Sequence, residues 1–153
     1  MDRGITDGVI QAVMIALFAA AAMMWDAFQM RIPNWLNVTG AAAGLIYHLF
    51  ESKLEGLVYA ASGMAGLLAA ALLLYVMGAI GAGDVKWFAA LGAMAGLIFS
   101  IHVLLTSILV AGLLGLILAV SGKRRLKQQF PFMYAVFPAV WMTYFILYGQ
   151  GGA

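Results

Sequence analysis

Six apolar runs, at about Val9 to Trp25, Trp35 to Phe50, Leu57 to Ile80, Val85 to Phe99, Ile101 to Val120 and Phe132 to Tyr148, leave little of the chain free to face water. Backbone inside hydrocarbon must satisfy its own hydrogen bonds, and continuous runs of this length suit helices better than the alternating pattern of barrel strands. The expected fold is therefore all-α, a polytopic membrane protein with about six transmembrane helices. Most runs approach the roughly 17 to 25 residues that cross about 30 Å of hydrocarbon, whereas the second and fourth are short and must enter partway or thin the bilayer. Only 9% of the residues are charged, against roughly 25% in a water-soluble domain, so that class is excluded. No repeat, linker or low-complexity segment divides residues 1–153, which read as one membrane-embedded domain. Asp2, Arg3 and Asp7 flank the first run without the net positive charge of a secretory signal, so it is read as a permanent span.

The basic residues orient the spans. Arg31, Lys86 and the cluster Lys123, Arg124, Arg125 and Lys127 fall in loops on one face, which holds six of the eight, and Arg3 and Lys53 fall on the other. The positive-inside rule then places the three basic loops in the cytoplasm and both termini outside. Trp25, Trp35 and Trp87 all map to the same cytoplasmic boundary, where an aromatic belt belongs. The net charge of +2 reflects few titratable groups, so no nucleic-acid partner is implied. The absence of cysteine excludes disulfides, thiolate catalysis and cysteine-based metal sites.

Of the six acidic residues, Asp2, Asp7, Glu51 and Glu55 map to the outer face, leaving Asp26 and Asp84. Asp26 closes the first span and Asp84 opens the fourth, after the chain has gone out and come back, so the two reach similar depth. An aspartate in a span costs about 2.5 to 3.5 kcal/mol at the helix centre and less near its ends, so it tends to have a partner or a task. Two facing carboxylates that share one proton can divide the work, one drawing a proton from water and the other donating to a carbonyl oxygen. Neither a nucleophilic serine nor a metal is needed for that chemistry. Singly, each has a plainer role: Asp26 ending a helix in a short polar loop, and Asp84 capping a helix that starts at Val85.

The surroundings of both acids favour a site. Gly81 and Gly83 precede Asp84, allowing the backbone to bend and an extended strand to approach. After Asp26 comes Arg31-Ile32-Pro33-Asn34, in which Pro33 stiffens the turn into the second helix and Asn34 is placed to cap it or to bond substrate backbone. Lys86 either tunes the carboxylates or reaches up to the interface. His48 and His102 map to the outer face, a bilayer away, so no metal site and no cofactor is expected. Gly40 with Gly44, and Gly92 with Gly96, form close-packing pairs.

The segments Asp26-Ala27-Phe28-Gln29-Met30-Arg31-Ile32-Pro33-Asn34 and Gly81-Ala82-Gly83-Asp84-Val85-Lys86 resemble those of the type IV prepilin peptidases, membrane aspartic proteases with a Gly-x-Gly-Asp motif. The resemblance covers the six-span core and extends more loosely to Pro131-Phe132-Met133-Tyr134-Ala135. It implies that Asp26 and Asp84 are the catalytic pair, with Gly81, Gly83, Lys86, Arg31, Pro33 and Asn34 supporting motif or substrate. It also implies removal of a short basic leader from prepilin or pseudopilin precursors at the cytoplasmic membrane face, the cut falling after a glycine and just before the precursor's apolar helix. Longer members carry a cysteine-bearing insertion after the first span and also methylate the new amino terminus. This chain has a loop of about eight residues there and no cysteine, like the short form found with Flp-type, tight-adherence pili. Preflagellin or pseudopilin processing would use the same chemistry, and a proton-coupled transporter would instead favour acids at mid-bilayer.

Overall fold

The computed structural model describes residues 3–29, 31–120 and 132–148. Four helices occupy them, α1 (Arg3–Gln29), α2 (Asn34–Val76), α3 (Ala82–Val120) and α4 (Met133–Tyr148), and the described residues contain no strand. The basic cluster at 123–127, Pro131 and the extreme termini lie outside the described residues.

Two of the four helices are broken inside, which restores the six segments expected from the apolar runs. In α2 the break is at Ser52 (φ −132°, ψ 20°) and Lys53 (φ 54°, ψ −129°). Gly44 before it and Gly63 after it both press on the same turn of α3, against Ala93 and Gly92 respectively. On one straight helix those glycines would lie about 28 Å apart, so the arms 34–51 and 54–76 must run back along one another. Gly56 sits where they part, and a Cβ there would collide with the carbonyl of His48. Lys53 bears the cost of the reversal as a non-glycine residue in the left-handed region.

In α3 the break is at Gly96 (φ 75°, ψ 175°), a conformation glycine adopts without a Cβ penalty. The apolar pattern placed this boundary at Ser100; Ser100 is instead helical and fully buried. The break releases carbonyls that would otherwise be bonded within the helix, and side chains from other segments take them up. Gln11 Nε2 donates to the Met94 carbonyl at 2.8 Å, His48 Nε2 to the same oxygen at 3.0 Å, and the Tyr59 hydroxyl to the Ala95 carbonyl at 3.4 Å. The end of the bundle away from Asp84 is thus tied around one interrupted turn. His48 and His102, which bonds the Ile98 carbonyl, belong to this region.

The arm 82–95 is about 21 Å long, and from Trp87 to Gly96 every residue is buried. It can be apolar on all sides because the other segments wall it in. Phe18 of α1 stacks on Trp87 with ring centres 5.3 Å apart and planes within 2°, and Phe88 meets Phe132 edge to face at 6.4 Å. The arm 97–120 buries Phe99, Val103 and Leu104 in the same core. Gly40 faces Phe18 and Gly92 faces Gly63, so these close-packing glycines act inside the bundle.

The surface remains apolar. Leu17, Val38, Ile98, Leu109 and Phe145 are each about two-thirds exposed or more, an arrangement that suits lipid and not water. Among the described residues, three helices are long and apolar enough to cross a membrane, and α4 is a shorter apolar one. The protein is an all-α polytopic membrane protein.

Candidate active site

Asp26 is carried one turn before the end of α1 and is 7% exposed. It does not end the helix in a polar loop, because α1 continues to Gln29. Its Oδ2 accepts the amide of Met133 at 3.1 Å. Met133 is the first residue of α4, so the carboxylate meets the positive end of a helix dipole and one of its unpaired amides.

Asp84 lies in the first turn of α3, which begins at Ala82 and so takes in the residues expected to precede it. Its Oδ2 accepts the amide of Gly81 at 3.0 Å, while the Gly81 carbonyl accepts the amide of Val85 at 3.2 Å. This is one half of a capping box, a side chain three residues inside the helix reaching back to the amide of the residue before it, while the Gly81 carbonyl accepts the first bond of the helix ladder. A Cβ on Gly81 would stand 3.2 Å from Asp84 Oδ2, and one on Gly83 would meet Ile32 N at 3.6 Å. Gly81 keeps space for the carboxylate, and Gly83 lets the Ile32–Pro33 segment come close.

Neither motif glycine has positive φ. The chain needs that freedom at Gly78 (φ 74°), which ends the second arm of α2. There the amide of Gly78 bonds the Tyr75 carbonyl and that of Ala79 bonds the Leu74 carbonyl, both at 2.9 Å, which is a Schellman closure. It turns the chain from α2 into Gly81 within a few residues.

Pro33, in extended conformation (φ −68°, ψ 141°), is the residue before α2, and its carbonyl accepts the amides of Leu36 and Asn37. Asn34 does not cap α2. Its Oδ1 instead accepts Lys86 Nζ at 2.8 Å, which joins the start of α2 to the first turn of α3. Capping was lost because the capping position falls to Pro33, one residue earlier. Arg31 is exposed at the rim.

These elements enclose a cavity of about 590 Å³ lined by Asp26, Gln29, Arg31, Ile32, Pro33, Asn34, Gly81, Ala82, Gly83, Asp84 and Lys86. All eight residues singled out in the sequence face it. Asp26 from α1 and Asp84 from α3 thus line one cavity. Gln29 and the Met133 amide were not foreseen, the first because nothing marks it and the second because a backbone donor leaves no trace in residue type. Among the described residues, no group of three His, Asp or Glu side chains is placed to hold a metal ion.

Fold and site together define a polytopic helical membrane protein with two carboxylates, from separate helices, on one glycine-flanked cavity at one end of the bundle. Residues 13–116 match the type IV leader peptidase family, and the chain belongs to that family. It is also similar to the prepilin leader peptidase/N-methyltransferase of Bacillus subtilis (strain 168), 30% identical over 151 residues. That alignment takes in 96% of this chain and 59% of the relative, so the chain spans about three-fifths of the length of the relative it matches. No solved structure matches.

Proposed function

We propose that this protein is a membrane aspartic endopeptidase that removes the basic leader from type IV, Flp-like prepilins. The observation that carries this reading is the presence of Asp26 and Asp84 on one cavity, each carboxylate held by a backbone amide. With one proton shared between them, the ionised carboxylate takes a proton from water as its oxygen attacks the scissile carbonyl carbon. The protonated one donates to the carbonyl oxygen. The tetrahedral diol then collapses as the C–N bond breaks, and a carboxyl proton passes to the leaving amine. Gly81, Gly83, Pro33 and Asn34 shape the channel in which an extended substrate segment lies, and Arg31 and Lys86 set its charge.

The reading places the protein in the cytoplasmic membrane with the cavity facing the cytoplasm, where a precursor presents its leader. It also makes residues 1–153 one catalytic domain that cleaves without methylating, since no cysteine is present and four residues join α1 to α2. The test is cleavage of a Flp-type prepilin by the purified protein, compared with Asp26→Asn and Asp84→Asn. Each substitution should lower the rate by about 10²-fold or more, and the new amino terminus should be unmethylated. Cleavage that persists in either variant would overturn the reading.

A further inference from the structure

The two flanks of α1 are closed differently. On the α4 side, Asp26 is bonded to the Met133 amide and α1 packs along α4. On the α2 side, α1 makes few contacts among the described residues, and Trp25 meets Trp35 edge to face with ring centres 5.4 Å apart. Beside that pair a groove of about 230 Å³ opens on the outer surface, lined by Met24, Trp25, Phe28 and Gln29. Met24 is 57% exposed and Phe28 84%. Gln29 lines both this groove and the cavity of the carboxylates, so the groove lies beside the cavity at the end of α1.

We infer that this groove is the docking surface for the apolar helix of the substrate precursor, whose preceding extended segment crosses Gln29 to reach Asp26 and Asp84. The inference rests on the peptidase reading above. Many faces of this protein are apolar, but this groove shares Gln29 with the cavity, a placement that a site for bulk lipid or for a second copy of the chain would not require. A precursor helix seated on Met24 and Phe28 stays in the bilayer, and only the segment to be cut must leave it. Burying Phe28 against that helix removes apolar area from contact with solvent or loosely packed lipid and adds close packing.

The test places a benzophenone side chain at Phe28, or as controls at Leu109 on α3 and Phe145 on α4, both more than two-thirds exposed. Each is built into the full chain with Asp84→Asn, reconstituted with a Flp-type prepilin and illuminated. Adducts should form chiefly from position 28 and map to the first turns of the precursor's apolar helix. Equal adducts from all three positions, adducts with lipid alone, or adducts between copies of the enzyme would overturn the inference. In parallel, Phe28→Ala in the otherwise native enzyme should raise KM for the helix-bearing precursor by roughly tenfold. It should raise KM less for a peptide that ends at the start of that helix, and equal rises would count against the docking surface. If the native enzyme leaves the precursor uncut, the peptidase reading fails and takes this inference with it. If it cuts the precursor but position 28 shows no preference, only the docking surface fails.

Discussion

Asp26 on α1 accepts the amide of Met133 on α4 at 3.1 Å, across 107 residues of sequence, so the first and last described helices meet at one of the two carboxylates of the cavity. That bond makes the side chain structural as well as chemical. Asparagine keeps an oxygen that can accept the amide, whereas leucine does not. Asp26→Asn should therefore retain protection of the Met133 amide against hydrogen exchange. Asp26→Leu should lose that protection and cost on the order of 1 to 3 kcal/mol for the unpaired buried donor, read by thermal unfolding in detergent.

The two motif glycines should fail in different ways. A methyl group on Gly81 would stand 3.2 Å from Asp84 Oδ2 and displace it, whereas one on Gly83 would make an ordinary contact with Ile32. Gly81→Ala should lower kcat by roughly tenfold through a misplaced carboxylate. Gly83→Ala should act mainly on KM by narrowing the channel. Steady-state kinetics on a prepilin separate the two, and a larger kcat loss in Gly83→Ala would contradict the geometry.

Gly96 is the glycine on which the fold depends most. Its positive φ is closed to other residues without strain, and a Cβ would run into the Tyr59 hydroxyl. Gly96→Ala should destabilise by at least about 2 kcal/mol. Gly112 and Gly115 lie in the same helix with open space around the Cβ position. Alanine at either should be neutral or stabilising by up to about 1 kcal/mol. Melting temperatures of the three variants side by side check the ordering.

Asn34 and Lys86 should behave as a pair. Their 2.8 Å hydrogen bond is exposed, so its contribution to stability is small, but it links the two backbone segments that flank the carboxylates. In a double-mutant cycle on kcat/KM, Asn34→Ala and Lys86→Met should be non-additive by about 0.5 to 1 kcal/mol. Simple additivity would mean that the two act on the substrate independently.

Orientation can be read directly because the chain has no cysteine. Lys53, at the reversal of α2, and Arg31, at the rim of the cavity, are exposed and occupy opposite ends of the first arm of α2. In intact cells an impermeant thiol reagent should label Lys53→Cys from outside, and Arg31→Cys only after the membrane is opened. The reverse pattern would invert the proposed topology.

The sequence exposed the spans and the acids more readily than the joints between them. Apolar runs separated by Glu51 to Gly56 or by Gly81 to Asp84 announced where the chain turns; the first turn lies there, whereas the second begins at Gly78, inside the run read to Ile80. The interruption at Gly96 falls inside a continuous apolar stretch, where hydropathy carries no mark. Gly92 and Gly96 read equally well as packing glycines, and only Gly92 is restricted to that role. Asp26 and Asp84 stood out because an acid in an apolar stretch is costly, but their partners are backbone amides of Met133 and Gly81, which any residue type could supply. Asn34 looked like a cap by type, yet Pro33 occupies the capping position and leaves the side chain free for Lys86.

The burial of the arm from Trp87 to Gly96 has a consequence for how the surroundings reach the chemistry. Asp84 rides on a post enclosed by protein on every side, whereas Asp26 rides on an outer wall whose far face touches lipid. A thicker, thinner or more ordered bilayer would lean on that wall while leaving the post upright. The spacing of the two carboxylates should therefore respond to the composition of the membrane, through the lean of a single helix, and cleavage rates in vesicles of graded acyl-chain length would read that response.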